Sequence, residues 1–227
     1  MKLPRPLLLG HRGAPLAARE NTLEAFRHAL EAGLDGLELD LQFTRDGVLV
    51  VHHDFDLEGR PIAGLDWPQL RKAAPWIPRL EEVFALAQEF PEAWLNLELK
   101  SQPGPTDGRE EALARALQGR EQVWVSSFDP LALLRLHRLG VGAPLALLYS
   151  VPEMEALLPC LPVQGAHPHY ALLDEERVGA LKRQGLFVVA WTVNQAEVVG
   201  RLLAWGVDGV IGDRPDALRA GAREVLG

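Results

Sequence analysis

The sequence predicts a (β/α)8 barrel of the TIM-barrel type, with residues 1–227 forming a single domain and residues 55–78 a small insertion after His53-Asp54. Two observations carry that expectation. A short apolar run, a polar corner and an amphipathic helix recur with a period of roughly 25–30 residues, and a chain of this length holds eight such units. On 36–43 and again on 94–100, leucines alternate with polar residues, so one strand face is apolar while the other carries Glu38, Asp40 and Gln42, or Asn96, Glu98 and Lys100. A barrel accommodates that split: one face of each strand packs under the helices, the other points inward, and acids at the carboxyl ends place a site at the top. A doubly wound sheet shares the alternation of elements, but its phosphate loop is missing, because the first strand ends in Gly10-His11-Arg12-Gly13.

Taken in order, 7–11 is the first strand, and Asn21 with Glu24 forms a capping box for a helix faced by Leu23, Phe26 and Leu30 and closed by Gly33. Gly36–Phe43 is the second strand. The Asp46-Gly47 pair then signals a tight reversal, and 48–51 returns antiparallel, which brings His53 back to about the level of Glu38 and turns His52 to the opposite face. The stretch 55–78 lacks periodicity, whereas Leu80, Val83, Phe84 and Ala87 line a helix. The strand at 94–100 follows, then a helix capped by Asp107 and Glu110 that ends at Gly119, a strand at 123–127, and a helix opened by Asp129-Pro130. A strand at 144–149 leads to a helix capped by Ser150 and Glu153, and 163–169 is the sixth barrel strand in outline. Asp174 opens a helix stopped by Gly185, the β-branched run 186–192 leads into Asn194 and Glu197, and 207–211 is the last strand before a helix begun by Asp213 and Pro215.

The composition, 48% hydrophobic and 24% charged, is that of a soluble globular protein. No apolar run approaches the ~20 residues of a membrane span, and prolines interrupt the leucines of the opening segment, so a cytoplasmic protein is expected. Cys160 is the only cysteine, which excludes an intramolecular disulfide and a cysteine-based metal cluster. A net charge of -8 argues against nucleic acid or an anionic membrane as a stable partner, but leaves room for a small anionic substrate in a local basic pocket.

Glu38, Asp40 and Glu98 fall on a strand face that should be buried, where uncompensated anions are costly. One divalent cation is the simplest remedy, and an oxygen-only donor set suits Mg²⁺, Ca²⁺ or Mn²⁺. The bland alternative is an ion-pair network with Arg12, Lys100 or Arg45. His11 and His53 beside these acids suit an acid–base pair, Arg12 and Lys100 supply charge for a phosphoryl group, and Trp191 is placed to wall a pocket or simply to pack.

These motifs, in the order Gly-His-Arg-Gly, Glu20-Asn21-Thr22, Glu38-Leu39-Asp40, Thr44-Arg45-Asp46-Gly47, His53-Asp54, Glu98-Leu99-Lys100, Ser127-Phe128, Trp191-Thr192-Val193-Asn194 and Gly206-Val207-Asp208-Gly209, resemble the glycerophosphodiester phosphodiesterase family over nearly the whole chain. The resemblance implies a TIM-barrel hydrolase that splits glycerophosphodiesters into glycerol 3-phosphate and an alcohol. It further implies that His11 and His53 are the acid–base pair, that Glu38, Asp40 and Glu98 hold the divalent ion, and that Arg12 and Lys100 contact phosphate. A phospholipase D-like or cyclising enzyme acting on lysophospholipid headgroups is the alternative, and release of a cyclic phosphate would mark it. Arg19 and the segment 56–60 depart from the family pattern, which leaves the leaving-group pocket unread.

Overall fold

The structure, a computed structural model, describes residues 3, 5–102 and 104–226, without the side chain of residue 226; Met1 and Lys2, the basic start of the chain, lie outside it. In chain order the strands are β1 (Leu7–His11), β2 (Gly36–Phe43), β3 (Leu49–Val51), β4 (Asp56–Leu57), β5 (Arg60–Pro61), β6 (Trp94–Leu99), β7 (Val123–Ser127), β8 (Leu145–Tyr149), β9 (Gly165–Pro168), β10 (Phe187–Ala190) and β11 (Gly209–Gly212). The α-helices are α1 (Leu23–Glu31), α2 (Trp67–Ala73), α3 (Leu80–Ala87), α4 (Arg109–Ala116), α5 (Pro130–Arg138), α6 (Glu175–Arg183), α7 (Ala196–Ala204) and α8 (Pro215–Leu226).

Among the described residues, eight strands pair in parallel in the cycle β1-β2-β6-β7-β8-β9-β10-β11, and β1 also pairs with β11, so the sheet closes into a (β/α)8 barrel. Strand alternation sorts the core into two layers. Leu37, Leu39 and Leu41 of β2 and Leu95, Leu97 and Leu99 of β6 pack outward with helix residues such as Phe26, Leu30, Val83 and Leu113. Leu7, Leu9, Trp124, Ala146, Phe187, Val189 and Ile211 form a second, separate cluster on the inward-facing positions, filling the barrel as side chains do in this architecture. Above that plug the inward positions turn polar. Register aligns His11 with Glu38, Glu38 with Asn96, Asp40 with Glu98, and Glu98 with Ser126.

The antiparallel arm forms as expected: Leu41 pairs with Val51 and Phe43 with Leu49, and the His52 amide donates to the Asp40 carbonyl at 3.0 Å. The stretch 55–78 is more ordered than its lack of periodicity suggests. It folds as the β4–β5 ribbon, a short 3₁₀ turn and α2, around a small core of its own in which Leu57, Ile62, Leu65, Leu70 and Ile77 pack on Val50 of the arm. A one-residue periodic signal could not reveal a core shared between so many short pieces.

Several helix starts differ from expectation. Asn21 has a left-handed backbone (φ 55), so the extended Thr22 caps α1 and its hydroxyl accepts from the Ala25 amide at 3.2 Å. Gly108, not Asp107, caps α4. The segment Pro152–Cys160 is a 3₁₀ helix without a side-chain cap from Ser150; Pro159 lacks the amide hydrogen that an α-helix would need there. Gln195 precedes α7, and Asn194 and Asp213, expected as caps, bond instead to each other.

Candidate active site

The carboxyl ends of β1, β2, β6 and β11 meet at one mouth. There a small cavity of about 170 Å³ is lined by His11, Arg12, Glu38, His53, Glu98 and Lys100 on its charged side, and by Phe128, Leu148, Trp191 and Ile211 on its apolar side. Every residue expected in the site lines this cavity except Asp40, which is itself buried (1% exposed) and reaches the cluster from behind: Glu38, Asp40 and Glu98 each offer an oxygen within 4.8 Å of the others. Arg45 does not join them; it forms a two-pronged pair with Asp66 of the insertion.

The turn after β1 is built to aim Arg12 at this cluster. Arg12 itself is left-handed (φ 53), and Gly13 follows at φ 91, so close to α1 that an added Cβ would lie 2.6 Å from the Ala25 backbone. The result is that the Arg12 amide donates to Glu38 Oε2 at 3.0 Å while its Nε sits 3.2 Å from Asp40 Oδ2 and its Nη1 donates to Glu20 at 2.9 Å. Lys100 Nζ lies 2.7 Å from Glu98 and 3.0 Å from Asp40. Asn21 completes the cradle by donating to Asp40 Oδ2 at 2.8 Å.

Charge balance in this cluster is incomplete. Burial alone would raise Asp40, but Lys100 and Arg12 hold it below the usual carboxylate range. For Glu38 the pull of His11 and Arg12 is outweighed: burial and the charge of Asp40 push its pKa up to about 8, and its Oε1 is buried without a hydrogen-bond partner among the described residues. Burial and Asp40 also raise Glu98, to about 6, against the pull of Lys100. Three converging carboxylates, one oxygen unpartnered and two pKa values raised by burial and mutual repulsion fit a hard divalent cation bound by oxygen.

Both histidines are held by carboxylates. The ring Nδ1 of His11 donates to Asp213 Oδ1 at 2.7 Å, leaving Nε2 on the Glu38 side, 4.0 Å from Oε2. Asp213 is fixed in turn by Asn194, whose Nδ2 donates to it at 2.6 Å. Burial pushes the His11 pKa down, but Asp213 and Glu38 outweigh it and leave the value above the ordinary 6.5. His53 Nδ1 donates to Asp54 at 2.7 Å, and Gln42 pins that corner by donating to the carbonyls of His53 and Asp54 at 3.2 and 2.9 Å. His52 does not line the cavity. Trp191 both lines it and packs, since its indole N–H donates to the His167 carbonyl at 2.7 Å and its ring meets Phe128 edge-on at 5.4 Å.

Sequence reasoning missed the supporting roles of Asn21, Asp54, Asn194 and Asp213. Asp54, Asn194 and Asp213 were legible as polar residues after strand ends, but local pattern assigned Asn21, Asn194 and Asp213 to helix caps, and only the closed barrel shows the long-range partners of those three.

A closed parallel barrel with its ionisable groups gathered at the carboxyl ends of the strands defines a TIM-barrel enzyme. The chain belongs to the glycerophosphoryl diester phosphodiesterase family, whose model matches residues 11–217. It is similar to a glycerophosphodiester phosphodiesterase of Caldanaerobacter subterraneus subsp. tengcongensis, with 34% identity over 236 aligned residues that cover 94% of this chain and 96% of the relative. Among solved structures it resembles the glycerophosphodiester phosphodiesterase of Thermotoga maritima, with a TM-score of 0.79, 28% identity and coverage of 93% of this chain and 96% of the other. It also resembles a phosphodiesterase of Oleispira antarctica in complex with the product sn-glycerol-3-phosphate, with a TM-score of 0.82, 26% identity and coverage of 96% and 97%.

Proposed function

We propose that this chain hydrolyses glycerophosphodiesters to glycerol 3-phosphate and an alcohol, with His11 and His53 as the acid–base pair and Arg12 and Lys100 as the phosphate-facing cations. The observation that carries the proposal is one small cavity lined by both histidines, both cations and converging buried carboxylates. Glu38, Asp40 and Glu98 are assigned to one divalent ion, Mg²⁺ or Ca²⁺ with Mn²⁺ also suited, which when bound neutralises charge on the phosphoryl oxygens.

The chain's own groups supply the rest. A phosphodiester is an anion that repels a nucleophile, so Arg12 and Lys100 favour its entry and stabilise charge that develops as the ester bond breaks. Their present pairing with Asp40 and Glu98 keeps them in place before substrate arrives. His11 and His53 have Nδ1 tied to Asp213 and Asp54, so each presents Nε2 for chemistry. One takes the proton of the water whose oxygen joins phosphorus, and the other returns a proton to the alkoxide as its bond to phosphorus breaks. Trp191 and Phe128 wall the apolar side.

Substrates are read as water-soluble diesters. Among the described residues no helix is long and apolar enough to cross a membrane, and the large apolar residues of the insertion, Ile62, Leu65 and Leu70, are spent on its own core. Incubation of the purified chain with glycerophosphocholine and Mg²⁺ or Ca²⁺ should release glycerol 3-phosphate and choline. Absence of turnover with every such diester, or accumulation of a cyclic phosphate as the end product, would replace this reading.

A further inference from the structure

Asn96 has no part in the chemistry described above. It faces inward from β6, two residues below Glu98 and in register with Glu38 on β2. It is fully buried and lines the same cavity as His11, Glu38 and Glu98. Neither its Oδ1 nor its Nδ2 has a hydrogen-bond partner among the described residues, and Glu38 Oε1 beside it in register is in the same condition.

An unpaired buried amide is costly, and leucine, nearly the same shape, would fill a floor that includes Leu148 and Ile211 without that cost. The chemistry of the amide therefore limits what it can meet. A carboxamide presents an acceptor and N–H donors side by side. A phosphoryl oxygen would satisfy only the donors and an ammonium only the acceptor, whereas neutral hydroxyls satisfy both.

We propose that Asn96 is the specificity residue that reads the free hydroxyls of the glycerol half of the substrate. The proposal rests on the glycerophosphodiester reading and adds the part of the site that distinguishes glycerol from a plain alkyl chain. A substrate without those hydroxyls leaves the amide unpaired, and sites built to hydrogen-bond a hydroxyl can reject the analogue lacking it by as much as ~10⁴-fold.

The test uses the full chain loaded with Mg²⁺ or Ca²⁺, as wild type, Asn96→Leu and Asn96→Ala. Leucine keeps the floor filled, and alanine guards against misfit of the larger side chain. Calorimetric titration compares glycerol 3-phosphate with propyl phosphate, and steady-state kinetics compare glycerophosphocholine with propylphosphocholine. Wild type should favour the glycerol compound by at least ~100-fold in both measurements, and a folded variant should reduce the preference below ~10-fold by weakening the glycerol compound alone. A preference that survives in either variant overturns the proposal. So does an equal loss on both members of a pair, which is what a structural floor or a bound water would give. If wild type bound neither phosphate ester and cleaved neither diester, the phosphodiesterase reading itself would fall, an outcome distinct from an unchanged preference.

Discussion

At the scale of single residues, the two cavity histidines should be separable from their neighbour. His11→Ala and His53→Ala are each expected to lower kcat by about 10²–10⁴-fold with little change in ion affinity, since neither is needed to hold the cation. His52→Ala should stay within a few-fold, because that side chain is outside the cavity. Near-normal turnover in His53→Ala would reject the pair. Asp213→Asn tests orientation: the Asp213 hydrogen bond is the largest of the influences that raise the His11 pKa, so its loss should move the corresponding limb of the kcat/KM pH profile to lower pH and reduce the rate by roughly 10–100-fold, as loss of an outer supporting partner commonly does. An unshifted profile would show that Asp213 serves only to close the barrel. His11, Glu38, Asp40, His53, Glu98 and Lys100 were legible because each sits on, or next to, a strand whose alternation declares which way it points. Asp213 and Asn194 were not, because their partners lie far away in sequence and a helix cap explained them well enough locally.

At the scale of elements, the barrel strands were readable from alternation and the helices from their apolar stripes, whereas 55–78 was not, because its core is assembled from a ribbon, a turn and one short helix rather than from one periodic face. That assembly makes the arm dependent on the insertion. Val50 of β3 shares its cluster with Ile62 and Leu70, and His53 follows β3 by two residues. Truncating Ile62, fully buried, to alanine should cost about 2–5 kcal/mol in this cluster. We expect Ile62→Ala to speed amide hydrogen exchange across 49–77 while β6, β7 and β8 keep their protection, and to lower activity through loss of His53 placement. Faster exchange spread evenly over all strands would contradict a separable arm.

At the scale of the whole molecule, the ion should couple activity to stability. Chelation is expected to abolish turnover and lower Tm, because a ligand bound only to the native state stabilises by mass action. The pH dependence has a defined sign. Folded, ion-free Glu38 keeps its proton up to about pH 8 and Glu98 to about 6, while the unfolded chain releases both near 4.5, so between these values the native state binds more protons and loses stability as pH rises. The ion competes with those same protons. The rise in Tm on adding Ca²⁺ or Mg²⁺ should therefore be larger at pH 8 than at pH 5.5, and a rise independent of pH would place the ion elsewhere. Finally, the barrel closes where β1 meets β11, and the His11–Asp213 bond crosses that seam between residues 202 apart. During synthesis the His11 ring has no orienting carboxylate until the 202 positions that separate it from Asp213 have been made. A nascent chain stopped before β11 would therefore leave that ring unaligned.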